Sequence, residues 1–149
     1  MSQDARPGER TLEEHHSCMQ LVDAVEGAIN VEAAGTGWLD QLHGCLTKLS
    51  LELGAHFERE TQGYLFQELP ARFPRFAARL DRLGTEHSSI ITGLSGLLGE
   101  CDQVRSGTDQ DRHKLCGRVQ LLVSTIRRHE AEENEILISA HWDDLGECD

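Results

Sequence analysis

Residues 122–136 read Leu122-Val123-Ser124-Thr125-Ile126-Arg127-Arg128-His129-Glu130-Ala131-Glu132-Glu133-Asn134-Glu135-Ile136. Leu122, Ile126, His129, Glu133 and Ile136 follow one another by alternating steps of four and three residues, the repeat of a helix face turned toward a bundle interior. A histidine and a glutamate therefore share a stripe otherwise made of aliphatic side chains. Three more stretches behave alike: Leu12–His15–Met19–Val22, Leu49–Leu53–His56–Glu60 and Leu80–Leu83–His87–Ile90–Leu94. Four such stripes predict four helices around one core. Histidine and glutamate on a buried stripe are costly unless something inside binds them. A pair of metal ions is the simplest such partner.

The punctuation between the stripes sets the organisation. A first helix is expected from about Arg10 to Ala33, closed by Gly35-Thr36-Gly37. A second runs from about Trp38 to Gln67, with Thr36 as candidate N-cap. Pro70 and Pro74 break the next connection, and Pro74 suits the first turn of a helix continuing to about Val104. Ser106-Gly107-Thr108-Asp109 leads into a fourth helix from about Gln110 to Ala140. The expected division is an N-terminal arm over 1–9, a helical domain over 10–141 and an acidic tail over 142–149. Connections this short make successive helices antiparallel, so the fold class is all-α, an up-down-up-down four-helix bundle. Counted from the bundle end with the first and third turns, the four histidines lie about 17 to 19 residues along their helices. That is about 28 Å at a rise of ~1.5 Å per residue, so all four should meet at one level.

Composition narrows the function. The 149 residues suffice for one domain with its own core. Proline and aromatics are scarce, consistent with a helical chain. A formal charge of −12 argues against binding a nucleic-acid backbone and favours cations. No window approaches the ~18 consecutive apolar residues of a membrane span. Met1 to Arg10 is polar, without the apolar run of a secretory leader, and a cytoplasmic location is expected. The five cysteines, Cys18, Cys45, Cys101, Cys116 and Cys148, are odd in number and widely spaced, with no CxxC. They read as free thiols, not as a disulfide framework or thiolate zinc site, with Cys148 the most exposed.

The chemistry lies in two His-x-x-x-Glu pairs, His56 with Glu60 and His129 with Glu133. Residues four apart on a helix project from one face, about 5–6 Å from each other. One imidazole and one carboxylate from each helix can thus reach a common metal pair, with the carboxylates bridging. A lone histidine on an apolar stripe is usually a satisfied core residue, and a lone HxxxE is usually an exposed helix pair. Six such residues on four stripes at one level are a different matter. The expected metal ligands are His15, His56, Glu60, His87, His129 and Glu133. Nitrogen and oxygen donors without thiolate suit iron or manganese, with zinc as a further alternative. His15 is favoured over His16, which would share its face with Asp23. Glu86, Glu130 and Glu132 should point off the stripes, and His43, His113 and His141 should lie on the surface. Tyr64, one turn beyond Glu60, reads as rim packing or as a hydrogen-bond donor to a carboxylate. Gly93, Gly96 and Gly99 suggest close helix approach.

The order His15, His56-Phe57-x-x-Glu60, Glu86-His87, His129-Glu130-x-x-Glu133-Asn134 resembles the hemerythrin-like, HHE cation-binding domain family. The likeness extends from about Leu12 to Gly146. It includes Gly63-Tyr64 after His56-Phe57, the Pro70/Pro74 connection, and Asp144-Leu145-Gly146 after Glu133-Asn134. The resemblance implies a non-haem di-iron centre bridged by two carboxylates and an oxo or hydroxo group. It also implies a small gaseous or peroxide ligand, namely dioxygen, peroxide or nitric oxide. The oxygen-carrying hemerythrins place a second histidine four residues after the one in the third helix, where this chain has Ile91. Their bridging aspartate lies five residues after the fourth-helix histidine, where this chain has Asn134, and Glu133 takes that role. Losing one imidazole favours redox reactivity or sensing over reversible oxygen carriage. The alternatives are a metal-dependent iron or oxygen sensor or iron-handling module without turnover, and a structural bundle with zinc or no metal.

Overall fold

Glycines, prolines and one reciprocal cap divide the chain into helices. The computed structural model describes residues 8–30 and 36–147, and it is helical almost throughout them, with no strand. The long helices are α1 (Glu9–Ile29), α2 (Gly37–Gln62), α5 (Ala77–Gln103) and α6 (Asp109–Glu147). Between α2 and α5 lie two single-turn helices, α3 (Tyr64–Gln67) and α4 (Leu69–Arg72), and a 3-10 turn over Pro74–Phe76; a second 3-10 turn, Val104–Ser106, follows α5. The long helices close a ring in which α1 and α5 each pack on both α2 and α6. No helix among the described residues is long and apolar enough to cross a membrane.

Local chemistry explains where the boundaries differ from expectation. The second helix ends at Gln62, before Gln67, because Gly63 turns extended (φ −100°, ψ −167°). A Cβ there would stand 3.1 Å from the Arg59 carbonyl oxygen. Thr36 is the N-cap of α2, but through its backbone carbonyl, which accepts the Leu39 N–H at 3.0 Å; its hydroxyl makes no cap bond. The better cap is at α6. There the Thr108 N–H donates to Asp111 Oδ2 at 3.0 Å and the Asp111 N–H to Thr108 Oγ1 at 3.1 Å, a reciprocal capping box. At its other end α6 runs past Ala140 to Glu147, through most of the stretch read as an acidic tail. Asp143 and Asp144 on that extension pair with Arg75 and Arg72. The Met1–Pro7 part of the arm, Ala33, Gly35 and Cys148 lie outside the described residues.

Two apolar clusters hold the ring together. The larger runs through Val22, Leu42, Leu49, Leu53, Phe57, Ile90, Leu94, Val119 and Ile126. The smaller gathers Leu65, Leu69, Phe73, Phe76, Leu80, Leu83, Ile136 and Leu137. On α2 the larger cluster stops at Phe57, and the smaller begins at Leu65 on α3; along α5 the gap is Leu83 to Ile90, and along α6 it is Ile126 to Ile136. The buried residues in those gaps are Glu60, His87, His129, Glu130 and Glu133. A polar layer is thus clamped between two hydrophobic ones. The stripes were not uniformly inward, since Leu12 is 39 % exposed. The glycine series gives close approach only at Gly93, where a Cβ would meet Leu122 at 3.2 Å; at Gly96 and Gly99 the space is open.

Leu49 has no exposed surface, whereas Leu51 is 70 % exposed. Leu49→Ala should cost about 2–5 kcal/mol in urea unfolding, and Leu51→Ala should stay within about 0.5 kcal/mol. Equal costs would contradict this placement of the core.

Candidate metal centre

The six residues expected as ligands come together in the polar layer, all of them buried. Helical spacing places Glu60 under His56 on α2 and Glu133 under His129 on α6; α1 supplies His15 and α5 supplies His87. His15 and His56 stand edge to face with ring centroids 4.9 Å apart, and His87 and His129 are 5.1 Å apart. The Nε2 atoms converge on the carboxylates. His15 Nε2 is 2.8 Å from Glu60 Oε2 and 3.2 Å from Glu133 Oε1. His56 Nε2 lies 2.9 Å from Glu60 Oε2. His87 Nε2 is 3.2 Å from Glu60 Oε1 and 3.6 Å from Glu133 Oε2, and His129 Nε2 is 3.4 Å from Glu133 Oε2.

Many of these approaches are close without being aligned as hydrogen bonds. His56, His87 and His129 Nε2, Glu60 Oε1 and both Glu133 oxygens are buried with no hydrogen-bond partner. Buried polar atoms are rarely left so. The donors fall into two sets, His15, His56, Glu60 and Glu133, and Glu60, His87, His129 and Glu133, with the atoms of each set within 4.8 Å of one another. The two sets share both glutamates, which is the pattern two cations bridged by two carboxylates require. The donor chemistry therefore fits a metal pair.

The outward nitrogens of His15 and His56 are held by partners on other helices. His15 Nδ1 is 2.6 Å from Asn134 Oδ1, and His56 Nδ1 is 2.8 Å from Glu14 Oε2. Glu14 is itself held by Arg59 Nε at 2.8 Å. An Nδ1–H directed at such an acceptor leaves Nε2 free to ligate and fixes the ring's orientation, the usual support for a metal-binding imidazole. His129 differs: its Nδ1 is 3.7 Å from Glu86 Oε2, and both atoms are buried without a hydrogen-bond partner. Phe57 closes one wall: its ring stacks on His87 at 4.0 Å and meets His129 at 5.5 Å. Phe66 stands edge-on to His87 at 5.1 Å.

Several residues depart from the sequence reading. Glu130, expected to point off the stripe, is buried, with Oε2 2.8 Å from His15 Nε2. The signal was present: Val119, Val123, Ile126, Glu130, Glu133 and Leu137 form a second four-three series on α6, and all are buried. Glu14 and Asn134 were not singled out as partners, because an orienting contact between helices leaves no periodic trace. Glu132 lies off the stripe as expected, paired with Arg79 at 3.2 Å. His16, His113 and His141 are exposed and His43 is half-buried. Tyr64 packs against the smaller apolar cluster, where burial, and after it the nearby Asp144, raises its pKa. Ile91 is half-buried on the larger cluster.

Without cations the layer must balance itself with protons. Burial by itself would lower the His15 pKa, but the carboxylates of Glu130, Glu133 and Glu60 outweigh it and push the value up to about 12. His87 is likewise pushed up, to about 9, by Glu133 and Glu60 against the burial penalty. For Glu60 and Glu133 burial opposes ionisation, yet the surrounding imidazoles hold both carboxyls below the ordinary value of 4.5. Raised histidine values give stability that is complete below the unfolded value of 6.5 and is lost as pH climbs, for His87 through about 9. Lowered carboxyl values give stability present above 4.5 and lost as pH falls. The metal-free protein should therefore melt highest between pH 4.5 and 6.5 and lose stability from 6.5 toward 9. Metal ligation requires neutral histidine, so the loaded protein should lack that alkaline loss. Melting scans against pH with chelator and with metal would check this; a metal-free profile that is flat from 6.5 to 9 would contradict it.

Among known families, the model of the hemerythrin HHE cation-binding domain matches residues 6–140. No curated protein and no solved structure matches the chain. The matched span holds every residue of the polar layer, and the chain belongs to the hemerythrin HHE cation-binding domain family.

Proposed function

We propose that this chain is a non-haem di-iron protein that binds and reacts with dioxygen, peroxide or nitric oxide. The observation that carries the reading is the pair of buried donor sets sharing Glu60 and Glu133, with imidazole and carboxylate atoms that no protein group satisfies. Imidazole and carboxylate donors without thiolate suit iron. Structural zinc sites favour four tetrahedral ligands rich in thiolate, which this layer does not offer. In the finer architecture we propose, the four long helices alternate in direction around the ring. Their short connections, and histidines that meet at one level, support that reading.

Bound iron would supply exchangeable coordination positions and electrons for a small oxidant. The protein's part is positional. Asn134 and Glu14 hold the outer nitrogens of two imidazoles, His15 and His56, so their Nε2 atoms face inward before any metal arrives. The paired carboxylates provide the negative charge that draws two cations in and keeps them adjacent. Phe57 and the two apolar clusters keep bulk water from the layer. Ile91 packs beside α2, with its Cδ1 3.8 Å from where a Cβ on Gly54 would stand, and offers no donor.

Protein purified without chelator from iron-supplied cells should carry about two irons per chain and melt higher than the chelated form, since a ligand of the native state adds stability by linkage, about 2.7 kcal/mol at a hundredfold excess over its Kd. His56→Ala, Glu60→Ala, His129→Ala and Glu133→Ala should each lower the iron content, and His113→Ala should not. Near-zero metal after anaerobic reconstitution would sink the proposal. For reactivity, azide should shift the ferric spectrum and the diferrous protein should oxidise quickly in air, more slowly in Ile91→His. A long-lived oxygenated form that releases its oxygen on deoxygenation would instead establish a carrier.

A further inference from the structure

We infer that Glu130 is a seventh metal-binding side chain, which completes the His15/His56 half of the centre and leaves small ligands to exchange at the His87/His129 half. The inference rests on the metal-pair reading above and goes beyond it, since neither the stripe pattern nor the two donor sets include Glu130.

The geometry of Glu130 is one-sided. It is 1 % exposed, its Oε2 lies 2.8 Å from His15 Nε2, and its Oε1 lies 4.0 Å from His56 Nε2. Those two imidazoles are its only ion-pair contacts among the described residues. Both of its oxygens lack a hydrogen-bond partner. Its one close partner is the His15 imidazole, and a buried carboxylate with so little around it is costly to keep in a core. Its place on α6 explains the one-sidedness: adjacent residues on a helix diverge by about 100°. His129 and Glu130 therefore serve opposite halves of one centre from consecutive positions. His15, His56 and Glu130 join the shared glutamates on one side, while His87 and His129 alone join them on the other.

The less supplied half is also the one nearer the surface. His87 is the most exposed of the buried site residues at 8 %. One helical turn beyond it stands Ile91, with no donor atom. Phe66, edge-on to His87 at 5.1 Å, also lines a surface pocket of about 470 Å³ with Thr61, Leu80 and Gly84. One aromatic ring thus separates that pocket from the imidazole.

The test uses the full chain loaded anaerobically with isotopically enriched ferrous iron, then oxidised, and compared as wild type, Glu130→Gln and Glu130→Leu. Chelator competition and Mössbauer spectra read the two irons separately; melting of the metal-free forms reads the structural role. If Glu130 ligates, each variant should hold one iron at least about tenfold more weakly and shift one of the two iron signals. The metal-free variants should melt lower, since the 2.8 Å contact with His15 is weakened or lost; either role gives that result, and the iron readouts decide between them. Azide added to the wild type should perturb the other signal, the one that Glu130→Gln leaves unchanged. Unchanged iron affinity and spectra would overturn the assignment and make Glu130 a structural acceptor for His15. Azide acting on the same iron that Glu130→Gln perturbs would overturn the placing of the exchange site. A wild type that takes up no iron pair would fail at the earlier step, removing the metal-pair reading and this inference with it.

Discussion

Three carboxylates and four imidazoles share one dry layer of the bundle, and their mutual electrostatics is the constraint that the rest of the structure accommodates. Glu60, Glu130 and Glu133 cannot stand ionised beside one another in an apolar interior without positive charge between them. Protons on the imidazoles can supply it, which is why His15 and His87 hold theirs far above the ordinary range. Cations can supply it better, displacing those protons as they bind. The same side chains thus form a proton-balanced network without metal and would serve as ligands with it.

What keeps the layer from collapsing or flooding is its placement. A larger apolar cluster below and a smaller one above fix the register of the long helices, so the donors are presented by backbone that is stabilised elsewhere. The stretch from α3 to Phe76 supplies much of the smaller cluster, and Arg72 and Arg75 tie that stretch to Asp144 and Asp143 on the C-terminal extension of α6. Partners on α1 and α6 then set the orientation of two imidazoles, His56 and His15. Apolar packing sets where the donors are, and polar contacts set which way they face.

Much of this was legible in the sequence, for a specific reason. A metal layer in a helical bundle must lie on the inward stripes, and a four-three repeat exposes inward polar residues as exceptions. His15, His56, Glu60, His87, His129 and Glu133 were all found that way, and the structure brings them together. Glu130 was missed because an inward face is wider than one row: Leu122–Ile126–His129–Glu133 and Val123–Ile126–Glu130–Glu133 both point toward the core, and only packing shows that both are used. Glu14 and Asn134 were illegible because their role depends on interhelical distance. The stretch after Ala140 was read as an acidic tail; α6 continues through it to Glu147, where Asp143 and Asp144 pair with Arg75 and Arg72.

The central claim is that two cations sit side by side between the shared glutamates. Anomalous diffraction at the iron edge from crystals of the iron-loaded protein measures this directly. The account predicts two peaks about 3.5–4 Å apart, each within bonding distance of two histidine Nε2 atoms, with Glu60 and Glu133 reaching both. A single peak, or iron bound away from the Glu60–Glu133 pair, would contradict it.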